Sequence, residues 1–139
     1  WSVNGVARAH QYVTFAANHP AQAGAAYALN LPSTYYEEFL ETYTTKRDLM
    51  MAALSEGGLK AVSPQGTYFG MAAFSGVYDG DDLSFARYLT SEIGVACIPP
   101  GMFYSPEHAH IGRHYARFAF CKGDETLRLA GERLAKLRR

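Results

Sequence analysis

Tyr115-Ala116-Arg117-Phe118-Ala119-Phe120-Cys121-Lys122 reads as a β-strand, because its side chains sort into two faces with a period of two. Phe118 and Phe120 fall on one face, and Tyr115, Arg117, Ala119 and Cys121 on the other. Two aromatics on one side describe a core. An arginine in mid-strand on the opposite side needs an anion or open water. Its planar fork is the side chain best shaped to grip a carboxylate through two parallel hydrogen bonds. Taken alone, the strand fits a solvated or acid-paired arginine at least as well as a ligand site.

Outward from this strand, the chain alternates between helical and extended patterns. Asp124 reads as the N-cap of a last helix running to about Arg138. Before the strand lie a long loop, Pro99 to Arg113, and a short apolar run expected as a strand, Val95–Ile98. Asp79-Gly80-Asp81 opens a helix to about Ile93, on which Phe85, Leu89 and Ile93 share one side. Strands at Leu59–Val62 and Tyr68–Phe74 are joined by the Pro64-Gln65-Gly66 turn. A helix from Thr34 to Glu56 carries a Thr34/Glu37 capping-box signature and is stopped by Gly57-Gly58. Residues Gly5 to Leu31 are rich in Ala and poor in charge, and read as two buried helices split near Asn18-His19-Pro20. The order α-α-α-β-β-α-β-β-α predicts an α+β fold, with helices packed on one face of a small, mostly antiparallel sheet.

Composition narrows the function classes. The 139 residues carry 13 basic and 13 acidic groups, a formal net charge of +0, so no basic surplus drives binding to nucleic acid or to an anionic membrane. No apolar run is long enough to span a bilayer. Cys97 and Cys121 both sit in strand-like apolar runs, and are expected as two reduced, buried thiols in a cytoplasmic protein.

Five stretches, in this order, resemble the C-terminal part of class I pyridoxal-phosphate-dependent aminotransferases. They are His10-Gln11-Tyr12-Val13-Thr14-Phe15, Pro20-Ala21-Gln22, Pro64-Gln65-Gly66-Thr67-Tyr68-Phe69, Ile98-Pro99-Pro100-Gly101-Met102-Phe103-Tyr104 and the Arg117 strand with its following helix. The likeness is to the kynurenine and methionine aminotransferase branch and runs from about Arg8 to Leu137. It implies that Arg117 binds the substrate's α-carboxylate, and that Phe15 reaches into the pocket of the neighbouring subunit of a homodimer. It also implies that the loop with Phe103 and Tyr104 borders the substrate side chain. The segments become residues 1–31, the end of the large cofactor domain; 32–57, an interdomain helix; and 58–139, the small domain. Family members carry the cofactor's Schiff-base lysine upstream of the His-Gln-Tyr region. None of Lys46, Lys60, Lys122 and Lys136 stands in such a motif. The chain also begins at Trp1 rather than Met. It is therefore expected to be an inactive fragment without catalytic or cofactor-binding residues of its own, and without covalently bound pyridoxal 5'-phosphate. Amino acids and 2-oxo acids are the implied substrates of the parent.

Competing readings stay open for the remaining residues. Phe15, beside Tyr12 and Thr14, also fits a helix-end core aromatic. Tyr68 and Phe69 read as core, and Tyr104 as loop packing. His108, His110 and His114 read as a histidine-rich solvated loop rather than a metal site, since their spacing matches no common zinc module. Glu37, Glu38, Asp79, Asp81 and Asp82 read as helix-start charges. Other functions compatible with the pattern are a carbon–sulfur β-lyase on the same fold, the effector domain of an aminotransferase-like transcription regulator, and a free-standing carboxylate-binding module.

Overall fold

A computed structural model describes residues 2–138; Trp1 and Arg139, which end the first and last expected segments, lie outside it. The chain divides into two compact units, one through Glu38 and one from Phe39 onward.

The first unit holds α1 (Ser2–Thr14), α2 (His19–Leu29) and the opening turns of α3 (Ser33–Glu56). Asn18 caps α2 by accepting the Ala21 N–H at 3.0 Å, and Pro20 sits in the first turn, where its missing N–H costs nothing. α3 begins at Ser33, so Thr34 lies inside the helix and the expected Thr34–Glu37 cap is not made; Tyr35 donates instead to the Pro32 carbonyl at 3.1 Å. Within this chain neither α1 nor α2 has a buried residue, and Tyr12, Val13 and Phe15 are more than 80% exposed, at 83%, 83% and 88%. Contiguous apolar exposure of this kind drives association. The isolated chain is expected to self-associate, with a light-scattering mass that rises with concentration. A clean monomer with little binding of a hydrophobic dye would contradict this.

The second unit is built on a three-stranded antiparallel sheet in the order β1 (Lys60–Val62), β2 (Phe69–Ala73), β3 (Tyr115–Ala119). Its register pairs Val62 with Met71 and Met71 with Arg117. One face presents Ala72, Phe74, Ala116, Phe118 and Phe120 to a single core. Helices cover that face: α3 through Met50 and Leu54, α4 (Asp82–Tyr88) through Phe85, and α5 (Asp124–Leu134) through Leu127 and Leu134. Phe74 stacks on Phe85 with ring centroids 4.1 Å apart. Burying each such side chain contributes about 1.5–3 kcal/mol. The architecture is the expected α+β layer.

Helix ends obey local chemistry with two corrections. α3 stops in a Schellman turn: Gly58 takes φ +82°, Leu59 N–H reaches the Leu54 carbonyl at 2.9 Å, and Gly58 N–H the Ser55 carbonyl at 3.0 Å. Asp81 caps α4 in a reciprocal pair with Ser84, whose N–H and hydroxyl hold the Asp81 carboxyl below its ordinary value. The cap of α5 is Gly123, so Asp124 is its first helical residue, 3.7 Å from Lys46. The expected strand Val95–Ile98 reduces to one bridge, Ile98 with Arg117. A π-turn, Leu89–Ile93, continues α4, and Val95 N–H closes it on the Leu89 carbonyl at 3.0 Å. That bond commits the Val95 N–H to the helix end instead of to a sheet partner. No described helix is long and apolar enough to cross a membrane.

Candidate carboxylate site on the third strand

Alternation along β3 puts Arg117 on the sheet face opposite the core, in the same row as Met71 of β2. Its backbone is held on its outer side by Ile98, through paired hydrogen bonds of 2.9 and 3.0 Å. Its guanidinium is flanked by two aromatic rings. The Cζ atom lies 4.2 Å from the Phe69 ring centroid and 4.8 Å from that of Phe103. Such stacking leaves the edge of the fork free while fixing its plane. Nε is buried with no hydrogen-bond partner, and among the described residues no carboxylate forms an ion pair with Arg117. A buried donor left open costs stability unless something satisfies it. Nε is closed to solvent, so a planar anion arriving here would meet the terminal nitrogens of the guanidinium.

The rings come from different elements. Phe69 opens β2, and alternation from Gly70 and Ala72, which face the core, turns it to the Arg117 side. It was expected in the core and is half-buried under the guanidinium instead. Tyr68 is exposed, again not core. Phe103 ends a 3-10 turn, Pro100–Phe103, within the long loop; Tyr104 follows it and is exposed. Phe15 lies in the first unit, just beyond α1, with φ +41°, a value unusual for an aromatic.

Asp82 departs most from expectation. Rather than a solvated helix-start charge, it is 9% exposed, and its Oδ2 accepts the Gly101 N–H at 2.6 Å. Cys97 is half-buried, and burial together with the Asp82 charge pushes its thiol up to about 11. Cys121, expected to be buried, is exposed, because the strand's alternation turns it outward just past the end of β3. At pH 8 Cys97 would then be thiolate to roughly one part in a thousand. Iodoacetamide at pH 8 is expected to label Cys121 first, with Cys97 modified only after unfolding; mass spectrometry of the peptides reads the order. Early labelling of Cys97 would contradict it.

The histidines make local bonds. His108 Nδ1 pairs with the Ser105 hydroxyl at 2.9 Å, and His110 Nδ1 with the Glu107 carbonyl at 3.0 Å. Among the described residues no group of three His, Cys, Asp or Glu is placed to hold a metal. A cleft of about 220 Å³ elsewhere in the unit is lined by Met50, Phe118, Leu127 and Arg133, but Arg133 is committed to the Gly94 carbonyl at 2.7 Å.

Comparison with known proteins places this geometry in context. Residues 1–133 match the family model described as aminotransferase class I and II. The chain is 39% identical to a kynurenine–oxoglutarate transaminase of Dictyostelium discoideum, covering 99% of this chain and 36% of that protein. It is 37% identical to the methionine aminotransferase of Escherichia coli, covering 95% and 33%. The structure of N-succinyldiaminopimelate aminotransferase from Mycobacterium tuberculosis superposes with a TM-score of 0.82 at 34% identity, over 97% of this chain and 35% of that one. The chain thus spans about a third of the length of the relatives it matches.

Pyridoxal 5'-phosphate, the cofactor that the resemblance implies, does not fit the residues present. Lys46 donates to the Lys122 carbonyl at 2.7 Å and lies near Asp124. Lys60 shares the sheet face of Arg117 but stands on β1, in the row of Ala73 and Tyr115 and two strands away. Lys122 and Lys136 are exposed near and beyond α5. The donors of the Arg117 site suit a carboxylate, not a cofactor ring.

Proposed function

Because the chain belongs to the class I and II aminotransferase family, we propose that it is the C-terminal part of an enzyme that moves an amino group from an amino acid to a 2-oxo acid. Arg117 grips the α-carboxylate of both substrates. The observation that carries this is the aromatic-flanked guanidinium with no ion-pair partner among the described residues. Phe69 and Phe103 hold the plane of the fork, so the carboxylate docks in one orientation and the Cα–H bond is presented at a fixed angle.

In this reading residues 1–31 end the large domain, 32–57 link the domains and 58–139 form the small domain. Pyridoxal 5'-phosphate is bound by residues outside this chain, and the 139 residues alone are inactive. Phe15 serves the substrate pocket of the other subunit in a homodimer, and Phe103 borders the substrate side chain. Two free thiols support a cytoplasmic setting. The names of the relatives make L-kynurenine and L-methionine the first amino donors to try.

Product analysis on the full-length enzyme tests the reaction. Incubation with L-methionine or L-kynurenine and 2-oxoglutarate is expected to yield glutamate in step with loss of the donor. Pyruvate and ammonia from a cysteine conjugate, without amino exchange, would instead mark a carbon–sulfur lyase.

A further inference from the structure

We infer that Asp82 is a positioning residue for carboxylate binding: by holding the Gly101 N–H it sets the Pro100–Phe103 turn, and so lays Phe103 against the Arg117 guanidinium. The inference rests on the reading of Arg117 as the carboxylate ligand.

Helix chemistry does not account for Asp82. Asp81 already caps α4, and an acid in the first turn is equally favourable in solvent. Asp82 is instead buried at 9% exposure, and among the described residues no cation lies within ion-pair distance of it. A buried carboxylate without a cation is costly. Its hydrogen bond to Gly101, at 2.6 Å, is of the short, charge-assisted kind and crosses 19 residues of sequence.

The contact constrains the turn from two sides. A Cβ on Gly101 would stand 2.7 Å from Asp82 Oδ2, so only glycine lets the carboxylate reach that N–H. From behind, a Cβ on Gly112 would stand 2.7 Å from Gly101 N and 2.9 Å from Pro100 C. Gly101 in turn accepts the Tyr104 N–H at 3.2 Å, which closes the turn around Met102 and Phe103. Two residues after the clamped amide comes the ring that lies 4.8 Å from Arg117 Cζ. Among the described residues no hydrogen bond or ion pair joins Asp82 to Arg117; its influence passes through the loop.

The test uses the full-length holoenzyme with L-methionine and with the amine that lacks its carboxylate. Asp82→Ala is expected to raise KM for L-methionine about tenfold, the size of one lost charged hydrogen bond, with kcat changed far less. Binding of the amine, followed by cofactor absorbance, should weaken far less than that of L-methionine, since the amine keeps the side chain that Phe103 borders but not the carboxylate. Gly112→Ala pushes the same turn from the other side and is expected to act alike, which keeps the test open if Asp82→Ala does not fold. In a Phe103→Leu background both effects should shrink toward nothing, because the ring they position is gone. An unchanged KM in either folded variant, or an undiminished rise in the Phe103→Leu background, overturns the inference. Arg117→Ala, run in parallel, separates the two claims. If it leaves KM unchanged, the carboxylate reading itself fails. If it raises KM while Asp82→Ala and Gly112→Ala do not, only the positioning role fails.

Discussion

Arg117→Ala in the full-length enzyme is expected to weaken amino-acid binding by roughly 10²- to 10⁴-fold. Two charged hydrogen bonds of about 1.5–3 kcal/mol each are lost together. Arg117→Lys keeps the charge but loses the fork and the stacking between Phe69 and Phe103, so it should fall between wild type and Ala. Because the carboxylate is held in ground and transition states alike, most of the loss should appear in KM and less in kcat. The amine analogue should hardly notice either change, and cofactor absorbance should stay normal. Thermal stability should also hold, since the strand's backbone bonds to Ile98 do not depend on the side chain. A folded Arg117→Ala enzyme with unchanged amino-acid affinity would end the carboxylate reading.

Phe118→Ala, one residue along, should do the opposite. Its ring is fully buried among Leu54, Phe120 and Leu127 on the core face. Truncating a buried phenylalanine costs about 3–5 kcal/mol, through lost burial and the cavity left behind. Domains of this size are stabilised by about 5–15 kcal/mol, so much of the margin would go. Denaturant unfolding followed by circular dichroism should show a lower midpoint, while the protein that remains folded keeps its response to substrate carboxylate. Phe118→Leu should cost less. A near-unchanged midpoint for Phe118→Ala would mean that the core is not where the alternation places it.

That contrast shows what was legible in the sequence. A period of two separates Arg117 from Phe118 without any knowledge of partners, and Gly58 and Asp81 announce their helix ends through local chemistry. Contacts across the sequence were not legible. Phe69 reaches Arg117 only because β2 pairs with β3 in one register, and shifting that register by one residue would bury the arginine. The burial of Asp82 depends on a glycine 19 positions later. Val95–Ile98 has the composition of a strand, but the Val95 N–H is taken by the Leu89 carbonyl and Ile98 alone bridges to β3. Alanine-rich helices gave no sign of whether anything covers them.

The single bridge between Ile98 and Arg117 also bears on solubility. β3 is the last strand on its side of the sheet, and an open strand edge is a template for pairing with another molecule. Even-numbered residues of β3 turn their amides toward β2, as Phe120 does beyond it in bonding the Tyr68 carbonyl at 3.0 Å. Residues 115, 117 and 119 therefore turn theirs to the rim. Tyr115 N–H is taken by the Gly112 carbonyl and Arg117 N–H by Ile98, each at 3.0 Å. Among the described residues Ala119 alone is left to offer an outward amide from β3, too short a stretch for a foreign strand to lock onto. Ile98 and Gly112, on either side of the Phe103 turn, thus close this one edge of the sheet, and loosening them should show as aggregation under conditions where the core stays folded.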